Sequence, residues 1–349
     1  MQLLGISVIT LVTCFIVGGA ICNLFLNKMN YIQERFRTDE FKVPFPYVMF
    51  KGLPHVRDHN EGGYRGKYPS KNKPKNEYRV ILLGGSSVYL GDPTVTELLE
   101  ENFQKNGYIN VRVYNFGVIS NSSSQELMTI VKEVSELQPD LIIQYNGAND
   151  LYHPLYYDPR PGYPYDFLVY EASPLLYPKK LSAIKFFFYK NSLVRFIGER
   201  LFPTYYMNQL LPLNTLRREA GYGTDTWKEQ IADIYVSNIV KAQKISMAFG
   251  GEYIAIFQPT VYEKKHITDE EAPIFVPSET TYFREIKKKI FQRVTLPTYQ
   301  DVHFVDLSLY FDSVESTMFS DVMHVYQDSQ PFIAEAIYNS IMNRIFISR

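Results

Sequence analysis

Tyr78-Arg79-Val80-Ile81-Leu82-Leu83 runs directly into Gly84-Gly85-Ser86-Ser87, so a short apolar run empties into two glycines and two serines. A run of this length ending in a glycine turn reads as a buried strand, and Val88 to Gly91 leads from it toward a helix. The pattern then repeats. Val95 to Asn106 has helical spacing and Val111 to Phe116 reads as a strand, which makes a β-α-β opening. Gln125 to Leu137 is again helical, and Asp140 to Tyr145 is an apolar strand behind Pro139. Further along, the expected order is a helix at Trp227 to Ala248, a strand at Glu252 to Phe257, a helix at Phe283 to Val294, a strand at Val302 to Leu307 and a closing helix from Ser329 to Ile345. Strands alternating with helices predict an α/β fold, a three-layer α/β/α sandwich around a parallel sheet. Its chemistry belongs in the loops at the carboxyl ends of the strands.

Outside this frame the chain has three other regions. From Leu3 to Leu26 no residue is charged, a run long enough to cross a hydrocarbon core of about 30 Å. It predicts a single transmembrane helix through residues 3–26, because the start lacks the basic flank and small-residue cleavage site of a removed signal. Residues 1–27 are therefore expected to anchor the chain, with 28–76 as a Pro-containing linker and lead-in and 77–349 as the main folded domain. Residues 151–222 interrupt the alternation with a Tyr-, Phe- and Pro-rich insertion, including Tyr156-Tyr157-Asp158-Pro159-Arg160-Pro161. The domain that follows is expected to be extracytoplasmic, whereas Lys28, Arg35 and Arg37 beside the anchor argue for the cytoplasm. The sequence leaves both sides open.

Composition excludes several classes. A net charge of -1 provides no electrostatic footprint for nucleic acid. Both cysteines, Cys14 and Cys22, lie in the apolar run, so the rest of the chain has no thiol for a zinc cluster or a thiolate nucleophile. Neither a Walker pattern nor a dinucleotide GxGxxG follows the first strand.

What remains is a serine at a strand end. Gly84 and Gly85 permit a tight turn that exposes the Ser86 hydroxyl, with the following amides able to face a developing oxyanion. The second strand ends at Asn115-Phe116-Gly117 and the third at Asn146-Gly147-Ala148-Asn149-Asp150, which brings amide groups to the same sheet edge. After the last strand comes Asp321-Val322-Met323-His324, a spacing that lets a carboxylate hold one imidazole nitrogen while the other faces the serine. Each fragment alone also fits an ordinary turn or helix cap; all four fall in order at strand ends.

This set resembles the SGNH hydrolase superfamily, the GDSL-like lipases and esterases, over roughly residues 78–345. The resemblance implies the flavodoxin-like fold of that group, with Ser86 as nucleophile, His324 as base and Asp321 as its orienting carboxylate. It also implies an oxyanion hole from the Ser86 amide, Gly117 and Asn149. Gly85 departs from the family's Gly-Asp-Ser block, as do Ser87 and Val88. The implied reaction passes through an acyl-serine and needs no metal and no organic cofactor. Its substrate would be an acyl ester, an O-acetyl ester of a carbohydrate above all. An O-acyltransferase of surface polysaccharide and a non-catalytic glycan-binding scaffold are the alternatives. His153, Tyr156 and Tyr157 are further candidates for lining the substrate pocket. His303 reads as a sheet histidine and not as a ligand.

Overall fold

The structure, a computed structural model, describes residues 2–25, 42–171, 191–203, 213–299 and 301–343. In chain order the helices are α1 (Gln2–Phe25), α2 (Ser86–Tyr89), α3 (Val95–Lys105), α4 (Ser123–Lys132), α5 (Ala148–Tyr156), α6 (Phe167–Glu171), α7 (Ser192–Leu201), α8 (Leu213–Glu219), α9 (Asp225–Ala248), α10 (Pro277–Val294) and α11 (Gln330–Ile341). The strands are β1 (Lys42–Phe45), β2 (Met49–Gly52), β3 (Tyr78–Gly84), β4 (Val111–Gly117), β5 (Leu141–Asn146), β6 (Glu252–Phe257) and β7 (Phe304–Asp306). The chain groups into two compact units, one of Met1–Glu40 with Asp166–Ala220 and the other of Phe41–Tyr165 with Gly221–Arg349.

The second unit holds a five-stranded sheet in the order β4-β3-β5-β6-β7, parallel throughout. Every residue of β5 is buried, and β3 is buried from Arg79 to Gly84. Neighbouring side chains of a strand leave it on opposite faces. On β5, Gln144 bonds Glu126 of α4, whereas Tyr145 lines a cavity with Gln330 and Ile333 of α11. Helices α4 and α11 therefore cover opposite faces, α4 packing with α9 and α11 with α3, which gives the three expected layers.

Local chemistry explains the helix starts. Thr94 and Glu97 form a reciprocal capping box at α3, Thr224 Oγ1 accepts from the Trp227 amide at 3.2 Å, and Pro277 opens α10, where its missing N–H costs nothing. Thus α10 begins six positions before the helix expected at Phe283. The expected helix Gln125–Leu137 instead breaks at Glu133, which leaves the helical region at φ -134°. The Glu133 carboxylate takes bonds from Lys51 Nζ, Tyr64 Oη and Tyr68 Oη at 2.7–3.0 Å. These partners come from the stretch read as a linker. From residue 42 it contains an antiparallel β1–β2 hairpin, and Tyr64 is buried with its ring 4.2 Å from that of Phe116.

In the first unit, Asn191 caps α7 by accepting from the amides of Leu193 and Val194. Helix α7 lies along α1, with Ser192 Oγ donating to Asn23 Oδ1 at 3.2 Å. Helix α1 carries no charged residue. Among the described side chains no helix is long and apolar enough to cross a membrane; those of α1 run from Ile9 to Phe25, Leu11 excepted. Lys28, Arg35 and Arg37 lie outside the described residues, as do 172–190 and 204–212 of the aromatic-rich region.

The face of the sheet under α4 and α9 is polar where apolar residues would be expected. Glu126 Oε2 accepts from Gln144 Nε2 at 2.7 Å and from Asn146 Nδ2 at 2.5 Å. Tyr253 donates to Gln144 Oε1 and Tyr235 to Asn146 Oδ1. Burial, with the Asp150 charge added, pushes the Glu126 carboxyl up to about 8 against the counter-effect of the two amide bonds. An acid whose folded pKa is raised binds more protons folded than unfolded, so its contribution falls as pH rises from about 4.5 through about 8. Glu126→Gln keeps an acceptor for both amides without the ionisation. Its urea midpoint is expected to lie near wild type at pH 5 and to exceed it at pH 8.5, by about 4 kcal/mol in stability; equal midpoints at both pH values would contradict this reading.

Candidate active site

Strand β3 delivers its last residue, Gly84, between Gly117 of β4 and Tyr145 of β5. A Cβ on Gly84 would stand 2.5 Å from both the Tyr145 carbonyl and Val88 Cγ2, so only glycine lets the chain turn here. Ser86 follows as the first residue of α2, where an amide has no acceptor within its helix. Its side chain is buried within reach of the loop after β7. His324 Nε2 lies 2.5 Å from Ser86 Oγ, and His324 Nδ1 lies 2.6 Å from Asp321 Oδ2.

The loop itself fixes the carboxylate. Asp321 Oδ1 accepts from the backbone amides of Met323 and His324, each at 2.9 Å. Burial pushes the Asp321 carboxyl up, but the His324 ring bond and charge and these two amides outweigh it and hold the group below its ordinary value. An ionised carboxylate only accepts, so Nδ1 carries the proton and Nε2 presents its lone pair to the serine hydroxyl. The arrangement can take a proton from Ser86 and stabilise the imidazolium that results.

The amide groups divide differently from the expectation. Gly117 is not placed as a donor: its N–H donates to Asn115 Oδ1 at 2.8 Å, and Asn115 Nδ2 in turn donates to the Val88 carbonyl at 2.9 Å. The glycine is needed because α2 packs onto β4 there; a Cβ would stand 2.7 Å from the Tyr89 nitrogen. Asn149, by contrast, lies against the turn before Ser86. Its Nδ2 would be 2.3 Å from a Cβ on Gly85, and it spends one N–H on the Asn121 carbonyl at 2.7 Å, leaving the other.

The segment that meets Asn149 is therefore the turn after β4, closed by the bond from the Asn121 amide to the Val118 carbonyl. Within it Ser120 holds φ +66°, left-handed backbone that costs a non-glycine residue of order 1 kcal/mol and concentrates at functional sites. Asp150, next to Asn149, accepts from the Ser123 amide at 3.0 Å and from Ser123 Oγ at 2.5 Å. Burial raises the Asp150 carboxyl to about 6 against those bonds. Asn149 and Asp150 thus clasp the 118–123 segment at two points, and Asn238 Nδ2 braces it by donating to Ser123 Oγ. Sequence reading named Asn149 but gave Asp150 no role, and nothing in serine's preferences marks position 120.

The three pocket candidates are placed elsewhere. His153 is buried on α5 between the rings of Tyr157 and Tyr165, and burial, with the Lys42 charge, lowers its imidazole to about 3. Tyr156 is half-exposed and packs on Tyr152, while Tyr157 packs on Tyr165. None of the three lines the cavity of about 120 Å³ that adjoins His324, which is walled by Ser87, Leu90, Tyr145, Met323, Gln330 and Ile333 among others. His303, the residue before β7, bonds the Tyr253 carbonyl at 3.2 Å through its ring. Among the described residues no cluster of His, Cys, Asp or Glu is placed to hold a metal ion.

Since a Cβ on Gly85 would strike the Asn149 carboxamide, Gly85→Ala is expected to leave the fold intact by circular dichroism. It should slow the reaction of Ser86 with a serine-directed phosphonate by on the order of 10²-fold. An unchanged rate would show that Asn149 does not serve the Ser86 oxyanion.

No family model matches this chain, and no curated protein matches it. Among solved structures it is similar to an acetyl xylan esterase, AlAXEase, at 13% identity and a TM-score of 0.42, covering 75% of this chain and 99% of that one. A GDSL-like lipase from Bacteroides thetaiotaomicron is similar at 12% identity and a TM-score of 0.40, covering 78% and 92%. A variant of an acetyl xylan esterase from Geobacillus stearothermophilus is similar at 12% identity and a TM-score of 0.39, covering 76% and 94%.

Proposed function

We propose that this chain is a serine esterase that cleaves short acyl esters, O-acetyl groups on carbohydrate in the first place, through an acyl-Ser86 intermediate. The observation that carries the reading is the continuous pair of short bonds from Ser86 Oγ to His324 to Asp321. In this reaction His324 Nε2 takes the Ser86 proton as Oγ attacks the ester carbonyl carbon. The Asn149 side chain and the Ser86 amide hold the carbonyl oxygen as it becomes negative, where one aimed donor is worth about 3 kcal/mol. His324 then returns the proton to the departing alcohol, leaving the acyl group on Ser86. Water, deprotonated by the same nitrogen, attacks the acyl-serine and releases the acid.

Helix α1 is proposed to anchor the chain in a membrane with the catalytic unit on the extracytoplasmic side. Its 24 residues carry no charge and extend about 36 Å at the helical rise. Expressed in cells, the chain is expected to stay with the membrane fraction through alkaline carbonate and to be released by detergent. Release by carbonate alone would refute the anchor. Protease added to intact spheroplasts is expected to digest the catalytic unit, and protection from it would put that unit in the cytoplasm.

Hydrolysis of p-nitrophenyl acetate, a long-chain p-nitrophenyl ester and acetylated xylan tests the chemistry. Wild type is expected to prefer the acetyl esters, and Ser86→Ala and His324→Ala to lower kcat by at least about 10³-fold with little change in KM. Turnover that survives Ser86→Ala would overturn the serine mechanism, and preference for the long chain would overturn the substrate class. Acetyl loss that appears only when a glycan acceptor is added would identify a transferase.

A further inference from the structure

Lys264 and Glu271 form an ion pair whose two side chains are both fully buried, with Nζ 2.5 Å from Oε2. Removing two charges from water is rarely recovered by their attraction alone, so a pair of apolar residues would hold the fold at least as well. The carboxylate, however, does something an apolar side chain cannot. Its other oxygen, Oε1, accepts from two consecutive backbone amides, Met318 at 2.9 Å and Phe319 at 3.0 Å, while Lys264 Nζ also donates to the Ser316 carbonyl at 2.6 Å.

Residues 316–319 form the arm that carries the candidate base. Phe319 pairs with Val325, the Ser320 amide donates to the His324 carbonyl at 2.8 Å, and the Tyr326 amide donates to the Met318 carbonyl at 2.9 Å. The loop bearing Asp321 and His324 is thus closed on itself at its base, and Glu271 grips that base from beneath. We infer that Glu271, charged and held in place by Lys264, is a positioning residue that sets the distance from His324 to Ser86. The inference rests on the proposed role of His324. Bonds from the Val261 amide to the Val322 carbonyl and from Gln258 Nε2 to the Met323 carbonyl at 3.5 Å steady the loop's tip; among the described residues only the Glu271 carboxylate reaches the two amides of its arm.

Two double variants separate the grip from the burial of charge. Lys264→Met/Glu271→Leu removes both charges and the acceptor, whereas Lys264→Met/Glu271→Gln removes the charges and keeps a carbonyl oxygen for the Met318 and Phe319 amides. Both are expected to fold, as judged by near-ultraviolet circular dichroism and urea midpoints. In the full-length chain acting on p-nitrophenyl acetate, the leucine variant is expected to lose about 10²-fold in kcat with KM changed less than about threefold, the scale of an ångström-level misplacement. Phosphonate labelling of Ser86 should slow in parallel. The glutamine variant is expected to recover most of that loss. A single Glu271→Asp variant, which keeps the pair but withdraws the acceptor, should lose at least about tenfold in kcat by the same logic, and it provides the measurement if the leucine variant does not fold.

A folded leucine or aspartate variant with wild-type kcat, or equal losses in the glutamine and leucine variants, would overturn the inference. Ser86→Ala, run alongside, separates the two claims. Turnover that persists in it refutes the serine mechanism, whereas turnover that depends on Ser86 but ignores Glu271 refutes only the positioning role.

Discussion

The bond between Ser86 Oγ and His324 Nε2 joins residues 238 positions apart in the chain, and the sheet is arranged so that it can form. Strand β3 sits inside the sheet with β4 on one side and β5 on the other, so its carboxyl end opens between two neighbouring strand ends. Strand β7 ends at the same edge three strands further on, and the loop after it reaches back to Ser86. Gly84 is required by that geometry, since its Cβ would stand 2.5 Å from the Tyr145 carbonyl and from Val88, and a Cβ on Gly85 would meet the Asn149 carboxamide. A side chain at either position would displace the groups on which the serine depends.

Around this bond the polar groups fall into layers of decreasing exposure. The Asp321 carboxylate is tied by its own loop's amides, and the loop is tied by Glu271. On the other side of Ser86, Asn149 and Asp150 are tied to the turn after β4, and the turn to Asn238. Still deeper, Glu126 bridges two amide side chains of β5. Buried polar networks of this kind stabilise one arrangement only when their members are paired, and then they make it rigid. That rigidity is what a base within hydrogen-bond reach of its nucleophile needs.

The alternation of apolar runs and helical spacing made the parallel sheet and its order of elements readable, because a strand buried on both faces leaves a dense apolar signature at Val80–Leu83 and Leu141–Ile143. Ser86, Asp321 and His324 come together in the fold as the family resemblance of their four blocks led one to expect, and Asn149 lies against the turn before Ser86. Gly117 misled because a glycine at a strand end announces a close approach without saying what approaches; here it is α2, and the amide is spent on Asn115. Lys264 and Glu271 look like surface residues in a polar stretch, and only the fold shows that both are buried. His153 likewise gives no hint that the rings of Tyr157 and Tyr165 enclose it. Partnership across long separations is what local pattern leaves out.

The central claim is that Ser86 carries the acyl group during turnover. Rapid acid quenching of the full-length chain during its reaction with p-nitrophenyl acetate, followed by peptide mapping, would locate the intermediate. The account predicts one acetyl group, on Ser86, that accumulates before steady state and is absent from Ser86→Ala. Acetylation at another residue, or an initial burst that survives Ser86→Ala, would contradict it.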